Sequence, residues 1–282
     1  MRVVVTGGSG KLGRAVIDEL VAHDYDVANV DAAPPRAQQS PFTRIDLTDF
    51  GQVAEAFSRI DSRYDRVDAV VHLAAIPGPG NASNAATFAN NVVGTYNVFA
   101  AARAAGIRNV VWASSETVLG LPFDEPPPYL PVDEEVPWRP ETTYSLGKVL
   151  DEEMARQFCR WDPGLKMIGL RFSNVMEPAD YARFPAWNDD PTVRKWNLWS
   201  YIDARDGAQA VRLALEHEAT GMDVFIVANA DTVMSRPNDE LVRTMFPDVP
   251  IRRPLGEHES LLSIDKARRV LGYAPQHSWR DA

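Results

Sequence analysis

The sequence predicts an α/β protein: a doubly wound parallel sheet with helices on both faces, followed by a smaller and less regular C-terminal region. Three observations predict it. Apolar runs such as Val3-Val4-Val5 lack polar alternation, as expected of strands buried on both faces. As far as residue 175 these runs alternate with stretches of helical period, which implies right-handed crossovers between parallel strands. Between the first run and the first helical stretch lies a glycine-rich turn, Thr6-Gly7-Gly8-Ser9-Gly10-Lys11-Leu12-Gly13.

The elements follow in order. Residues 2–6 read as a buried strand and 11–23 as an amphipathic helix. A second strand spans 27–30 and ends at Asp31. A short strand at 43–46 and a helix at 50–60 come next, then a strand from Val67 to Leu73. Residues 84–106 carry a long, Ala-rich helical pattern, and Asn109 to Ser114 a strand. Residues 120–140 are a proline-rich loop around Pro126-Pro127-Pro128. A helix at 143–161 and a strand from Lys166 to Phe172 complete the regular part. Beyond residue 175 the alternation breaks, and 176–199 holds Trp187, Trp196 and Trp199 among charges and prolines. This stretch is expected to lie over the site. A helix at about 203–217, a strand at 223–228 and helices near 237–246 and 263–271 follow. The division expected is 1–175 for nucleotide binding and catalysis and 176–282 for substrate, with about 200–230 returning to the main sheet.

The bulk numbers narrow the class. The chain has 282 residues, 45% of them hydrophobic and 24% charged, so a sizeable core is available and disorder is not expected. A net charge of -10 and the lack of a basic run argue against nucleic-acid binding. The single cysteine, Cys159, excludes an internal disulfide framework and fits a reducing compartment. No apolar run is long enough for a membrane span, and no signal-peptide pattern precedes the first strand. A cytoplasmic protein with no membrane partner is expected.

The glycine turn joins a strand to a helix, as in a Rossmann-type dinucleotide cradle. Gly7 permits the turn, Gly10 lets backbone approach a pyrophosphate, and Gly13 lets the helix pack closely. The helix N-terminus favours an anion, so Ser9, Lys11 and Leu12 belong to the same binding loop. Asp31, at the end of the second strand, suits a ribose and repels a 2′-phosphate, which favours NAD over NADP. Asp46 and Leu47 follow the next strand, where a carboxylate meets an adenine amine. Leu73, Ala74 and Ala75 end another strand with small side chains that leave room for the cofactor.

Tyr144 and Lys148 share one face of a helix. A free phenol titrates near about 10, so a tyrosine base at neutral pH needs a neighbouring cation, and Lys148 supplies it. The lysine also suits the nicotinamide ribose. Ser114 and Ser115 close the strand before the proline-rich loop, where a hydroxyl can orient a substrate oxygen. Asn91, within Asn91-Val92-Val93-Gly94, suits a structural water or the backbone near the lysine.

Together, the glycine motif, Asn91, Ser115, Tyr144 and Lys148 resemble the extended short-chain dehydrogenase/reductase family, in its NAD-dependent epimerase/dehydratase group. Arg171-Phe172-Ser173-Asn174-Val175 resembles that group's strand into the substrate pocket, with Phe172 beside the cofactor. Ser200-Tyr201-Ile202-Asp203 with Asp206, and residues 263–273, also resemble it. The resemblance implies Ser115 rather than Ser114 as the catalytic hydroxyl, since Ser115-Glu116-Thr117-Val118 has the Ser-x-x-Val spacing. It implies hydride transfer between a carbinol and the nicotinamide, with Tyr144 moving the proton. Glu116, Ser173, Asn174 and Trp199 are the expected substrate contacts.

There are departures too. The dehydratases' Asp-Glu pair is replaced by Glu116-Thr117. Trp199-Ser200 stands where sugar-nucleotide members place a diphosphate arginine, leaving Arg252 or Arg253 as a second phosphate cation. The layout is more similar to compact uronate dehydrogenases. Arg183, Arg194 and Lys195 are candidates for a substrate carboxylate, with solvated surface charge as the plainer reading. The reading is an NAD-dependent oxidoreductase acting on a secondary hydroxyl of a sugar, sugar acid or polyol. The alternatives are a sugar-nucleotide epimerase and a non-enzymatic NAD-binding sensor. No metal is expected. The resemblance also implies a homodimer: in that family two long helices often pair into a four-helix interface, and the candidates here are 84–106 and 143–161.

Overall fold

Val3, Val4 and Val5 are fully buried in β1 (Arg2–Thr6) and point to alternate sides. Val3 and Val5 join one core; Val4 joins the other. The computed structural model, which describes residues 1–58, 64 and 66–281, repeats this pattern strand by strand. The remaining strands are β2 (Asp26–Asp31), β3 (Phe42–Arg44), β4 (Ala69–His72), β5 (Asn109–Ser115), β6 (Lys166–Phe172), β7 (Val175–Met176), β8 (Ile202–Asp203) and β9 (Gly221–Val227). Seven of them form one parallel sheet in the order β3-β2-β1-β4-β5-β6-β9. The chain reverses its direction of travel across the sheet between β1 and β4. In open α/β sheets that switch point, at the carboxyl ends of the strands, is where ligands bind. β7 and β8 pair separately.

Two helical layers cover the sheet. α1 (Lys11–Ala22) and α8 (Ala204–Glu216) enclose the core of Val3 and Val5, with Val16, Leu20, Val211 and Ala214 fully buried. On the other face lie α2 (Phe50–Ser58), α3 (Asn84–Phe88), α4 (Gly94–Ala104) and α5 (Thr143–Trp161). There Phe57, Phe99 and Phe158 pack around Val4 and Trp112. The short α6 (Phe184–Trp187) and α7 (Thr192–Lys195) fall in 176–199; α9 (Asn238–Met245) and α10 (Asp265–Leu271) close the chain.

The long helix expected at 84–106 is divided. α3 and α4 are joined by a π-turn at Ala89–Val93, so the helical path ends at Ala104 and carries one wide turn around Asn91. The strand expected at 43–46 is Phe42–Arg44, because Ile45 turns inward and Asp46 begins a turn with Thr48. Residues 59 and 60 of the helix expected at 50–60 lie outside the described residues. Sequence patterning did not foresee the β7–β8 pair or α6 and α7, each too short to set a period. No described helix is long and apolar enough to cross a membrane.

Candidate active site

The glycine turn is built by close approach. Gly7 has φ +73°, and a Cβ there would lie 2.5 Å from Ala74 N. A Cβ on Gly13 would lie 2.1 Å from the Gly7 carbonyl oxygen, so α1 sits directly against the turn. Gly8 is equally constrained, at 2.3 Å from Asn29 Oδ1; the Gly7-Gly8 doublet was the signal for it. α1 begins with Gly10 as an N-cap that offers no side-chain acceptor, so its first-turn N–H groups point outward at the switch point. Asp31 holds the loop: Oδ2 accepts from Ser9 N–H at 3.0 Å and Oδ1 from Ala33 N–H at 3.1 Å. Each oxygen keeps a lone pair for a ribose hydroxyl. A dinucleotide fits this cradle, whose shape a side chain at Gly7 or Gly13 would break by striking the backbone of Ala74 or of Gly7.

The other residues expected around it fall as follows. Lys11 Nζ is paired with Asp180 at 2.7 Å and Arg14 with Glu177 at 2.6 Å. These cations therefore tie α1 to the 3-10 turn Pro178–Arg183. Leu12 and Phe172 both lie over Gly207 of α8. Asn91 clamps Ile76, accepting from its N–H at 2.8 Å and donating to its carbonyl at 3.1 Å. It thus fixes the segment after Leu73-Ala74-Ala75, rather than backbone near the lysine. Asp46 is exposed and accepts from Thr48. The Leu47 carbonyl accepts from Asn97 at 2.8 Å.

Tyr144 and Lys148 lie on α5, which starts at a Thr142–Ser145 capping box. The lysine ammonium is 6.0 Å from the Tyr144 ring centre and is buried. It donates to the Ala113 carbonyl of β5 at 2.7 Å and to Asp151 Oδ2 at 3.3 Å. An ammonium has three donors, so one is left for a ligand. Burial opposes its charge, but Asp151, Tyr144 and Glu152 outweigh burial and raise its pKa above the ordinary value. Asp151 itself is pushed up to about 6 by burial, against the pull of Lys148.

Successive residues of β5 face opposite sides, and Ser114 and Ser115 separate accordingly. Ser114 Oγ donates to Glu152 Oε1 at 2.5 Å, and Glu152 is held by Arg171. Ser115 Oγ accepts from Thr117 N–H at 3.2 Å and from its hydroxyl at 3.0 Å. Glu116 follows, fully enclosed. Its Oε1 accepts from Asn197 at 3.2 Å and its Oε2 has no partner. Ser173 and the Asn174 N–H face this carboxylate without completing hydrogen bonds of good geometry. Burial pushes Glu116 up to about 7.

The surface reading of Arg194 is corrected. Its guanidinium is buried between Trp187 and Trp196, 4.7 and 4.9 Å from the ring centres. It donates to Asn174 Oδ1 at 2.9 Å and to the Ser200 carbonyl at 2.8 Å. Burial lowers its pKa to about 10. Trp199 is corrected in the opposite sense. Leu198 and Trp199 both adopt left-handed backbone, φ 55° and 56°, which turns the indole inward. It is 0% exposed, donates to the Pro191 carbonyl at 2.8 Å and packs edge-on to Phe246, so it offers no face to a substrate. Arg183 is exposed beside Asp180, and Lys195 lies over the Phe246 ring. Arg253 is paired with Glu259 and Asp265, and Arg252 covers the Tyr129 ring.

With this geometry in place, the comparisons with known proteins agree on the class. Residues 3–228 match the NAD dependent epimerase/dehydratase family. The chain belongs to that family. It is 27% identical over 285 residues to an L-arabinose 1-dehydrogenase (NAD(P)(+)) of Haloferax volcanii, covering 98% of this chain and 96% of the relative. It is 29% identical over 219 residues to UDP-glucose 4-epimerase 2 of Oryza sativa subsp. japonica, covering 71% of this chain but only 50% of that relative. The crystal structure of a UDP-galactose 4-epimerase superposes with a TM-score of 0.71 at 28% identity, covering 99% of this chain and 94% of that one.

Proposed function

We propose that this chain is an NAD-dependent oxidoreductase that oxidises a secondary hydroxyl of a sugar, sugar acid or related polyol. The observation that carries the reading is the buried Lys148 ammonium beside Tyr144, set at the carboxyl end of β5 with the glycine cradle two strands away. Gly7, Ser9, Gly10, Lys11, Leu12, Gly13 and Asp31 hold the cofactor, with Asp46, Leu47, Leu73, Ala74, Ala75, Asn91 and Phe172 around it. When bound, NAD supplies the hydride acceptor. Tyr144 takes the hydroxyl proton as the carbinol C–H bond breaks, and Lys148 favours its phenolate. Ser115 holds the reacting oxygen. Glu116, Ser173 and Asn174 bind the substrate's other hydroxyls, an assignment supported by the partnerless Glu116 Oε2 and Ser173 Oγ. Residues 1–175 carry cofactor and catalysis, and 176–282 carry the substrate side.

The second reading, a sugar-nucleotide epimerase, uses the same residues and is favoured by the rice and crystallographic relatives. Against it stand Trp199, enclosed at the place of a diphosphate arginine, and Arg253, already paired with two carboxylates. We further infer a cytoplasmic homodimer. Phe88, Val93, Tyr96 and Leu146 are exposed on the π-joined helices and on α5, the pair expected at the interface. A sedimentation mass of one chain would exclude it.

The test is reduced-nicotinamide absorbance with NAD or NADP against neutral sugars, uronic acids and polyols, repeated with Tyr144→Phe. An NAD-dependent signal lost in the variant supports the dehydrogenase. Silence across the panel, with NAD co-purifying, transfers the assignment to the epimerase.

A further inference from the structure

Behind Lys148, away from the reacting side, runs a line of buried polar groups that the proposed chemistry does not use. Asp151 is 0% exposed and lies one helical turn beyond Lys148. Thr95 of α4 faces its carboxylate. The Thr95 Oγ1 is 3.1 Å from His72 Nε2, and His72 Nδ1 is 2.7 Å from Thr6 Oγ1. Thr6 Oγ1 in turn accepts from Ala74 N–H at 3.4 Å. Ala74 is the residue against which Gly7 packs.

The line takes its direction from the Asp151 end: an ionised carboxylate only accepts, so the Thr95 hydroxyl that faces it has its proton to give there and accepts from His72 Nε2. Ala74 N–H takes one of the two acceptor lobes of Thr6, and the Thr6 hydroxyl donates to His72 Nδ1 when the ring proton is on Nε2. His72 is neutral, since burial, with Lys148 nearby, pushes it down to about 3. With Nδ1 accepting, its one proton sits on Nε2 and donates to Thr95. Thr95's own hydroxyl proton is then free to turn to Asp151, whose Oδ1 faces it with no hydrogen bond of good geometry among the described residues. We propose that Asp151 is a positioning residue: it anchors the Lys148 ammonium, and its carboxylate is oriented by a one-way hydrogen-bond chain that starts beside the glycine turn. The charged groups around the pair are few. On α5 they are Tyr144 and Glu152, the latter held by Arg171 of β6; β4 contributes only neutral His72.

The function of Asp151 follows from this placement. A fully buried ammonium with only a carbonyl as partner loses its proton easily. Asp151 keeps it charged and keeps its third donor turned toward the ribose and Tyr144. The proposal rests on reading Lys148 as the residue that tunes Tyr144, but it can be tested on the lysine itself. The chain holds five lysines, so protein carrying 13C at lysine Cε gives a small set of titrating signals, and Lys148→Arg identifies the one required. In the wild type, Lys148 should hold its proton beyond the ordinary lysine range. Asp151→Asn should lower its midpoint by at least one pH unit, a tenfold change. Thr95→Val should lower it by less, and Thr95→Ser should leave it in place.

An unchanged Lys148 midpoint in both Asp151→Asn and Thr95→Val overturns the proposal. If Asp151→Asn does not fold, the Thr95 pair decides: a shift with valine and none with serine supports the chain, and equal behaviour of the two refutes it. In the turnover assay, Asp151→Asn should lose kcat on the alkaline side, where the wild type holds it. Absence of turnover with every substrate, alongside the expected lysine shift, would remove the proposed function and leave the positioning role intact.

Discussion

Ser114 and Ser115 are neighbours at the end of β5; Ser114 bonds a buried carboxylate held by a buried arginine, Ser115 is followed in the chain by another buried carboxylate, Glu116, and the two groups are finished differently. Behind Ser114, Glu152 receives four donors: Ser114 Oγ, Arg171 Nε and Nη2, and Trp138 Nε1. Both oxygens are saturated, and one atom of this group, Arg171 Nη1, is without a partner among the described residues. After Ser115, Glu116 accepts one well-formed hydrogen bond, from Asn197, with Ser173 and the Asn174 N–H facing it, and Glu116 Oε2, Ser173 Oγ, Arg194 Nε and Asn197 Oδ1 have no partner of good geometry among the described residues. A buried polar atom without a partner costs about 1–3 kcal/mol, so a fold does not leave several together for stability. The closed cluster braces the sheet, joining β5, β6, α5 and the proline-rich loop. The Glu116 cluster holds four such unpaired atoms where the Glu152 cluster holds one, which is the capacity that the proposed function assigns to substrate.

The largest difference between them should appear on removing an arginine. Arg171→Met leaves Glu152 charged, buried and short of two donors, which should cost about 3–5 kcal/mol in urea unfolding. Arg194→Met should cost less, because Arg194 bonds a neutral amide and a carbonyl rather than Glu116. Equal losses would show that the two clusters are built alike.

The next difference is in pH dependence. Glu116 titrates at about 7 in the folded chain against an ordinary 4.5. Between those values the folded state holds a proton that the unfolded chain has released, so stability falls as pH rises from 4.5 through 7. At about 1.4 kcal/mol per pH unit the total is on the order of 3 kcal/mol. Glu116→Gln cannot titrate. Relative to the wild type it should therefore become more stable by roughly that amount on going from pH 5 to pH 8. A wild-type-minus-variant difference that stays flat over this range would mean that Glu116 is ionised and compensated after all.

What could be read in the sequence was what lies close along the chain. Apolar runs, helical periods and the glycine spacing each act within one strand–turn–helix unit, so the parallel sheet and the cradle were legible. So was the Tyr144–Lys148 pair, which shares one helix face, and Asp151 was within reach one turn further on. The Glu116 cluster was not legible, because Glu116 and Asn197 meet across a separation of 81 residues. Arg194 read as a surface charge because its burial depends on two tryptophans closing around it, and Trp199 read as a pocket wall because two left-handed residues reverse its direction. Chain-distant contacts and backbone inversions leave no period in the sequence.

The serines themselves give the finest test, since each substitution removes a single oxygen at adjacent positions of one strand. Ser115→Ala should lower kcat by about a hundredfold, the effect of letting a reacting oxygen drift from its aligned position, and should leave stability nearly unchanged. Ser114→Ala should do the reverse. Glu152 loses one of four donors in a sealed site, costing about 1–2 kcal/mol of stability, while turnover stays within about twofold. The two variants bury nearly the same surface and sit in the same strand, so packing does not separate them. Only the assignment of one serine to the brace and the other to the substrate predicts opposite responses in the two assays. If both lose activity alike, Glu152 and Arg171 act on the reacting side as well, and the division drawn at the end of β5 fails.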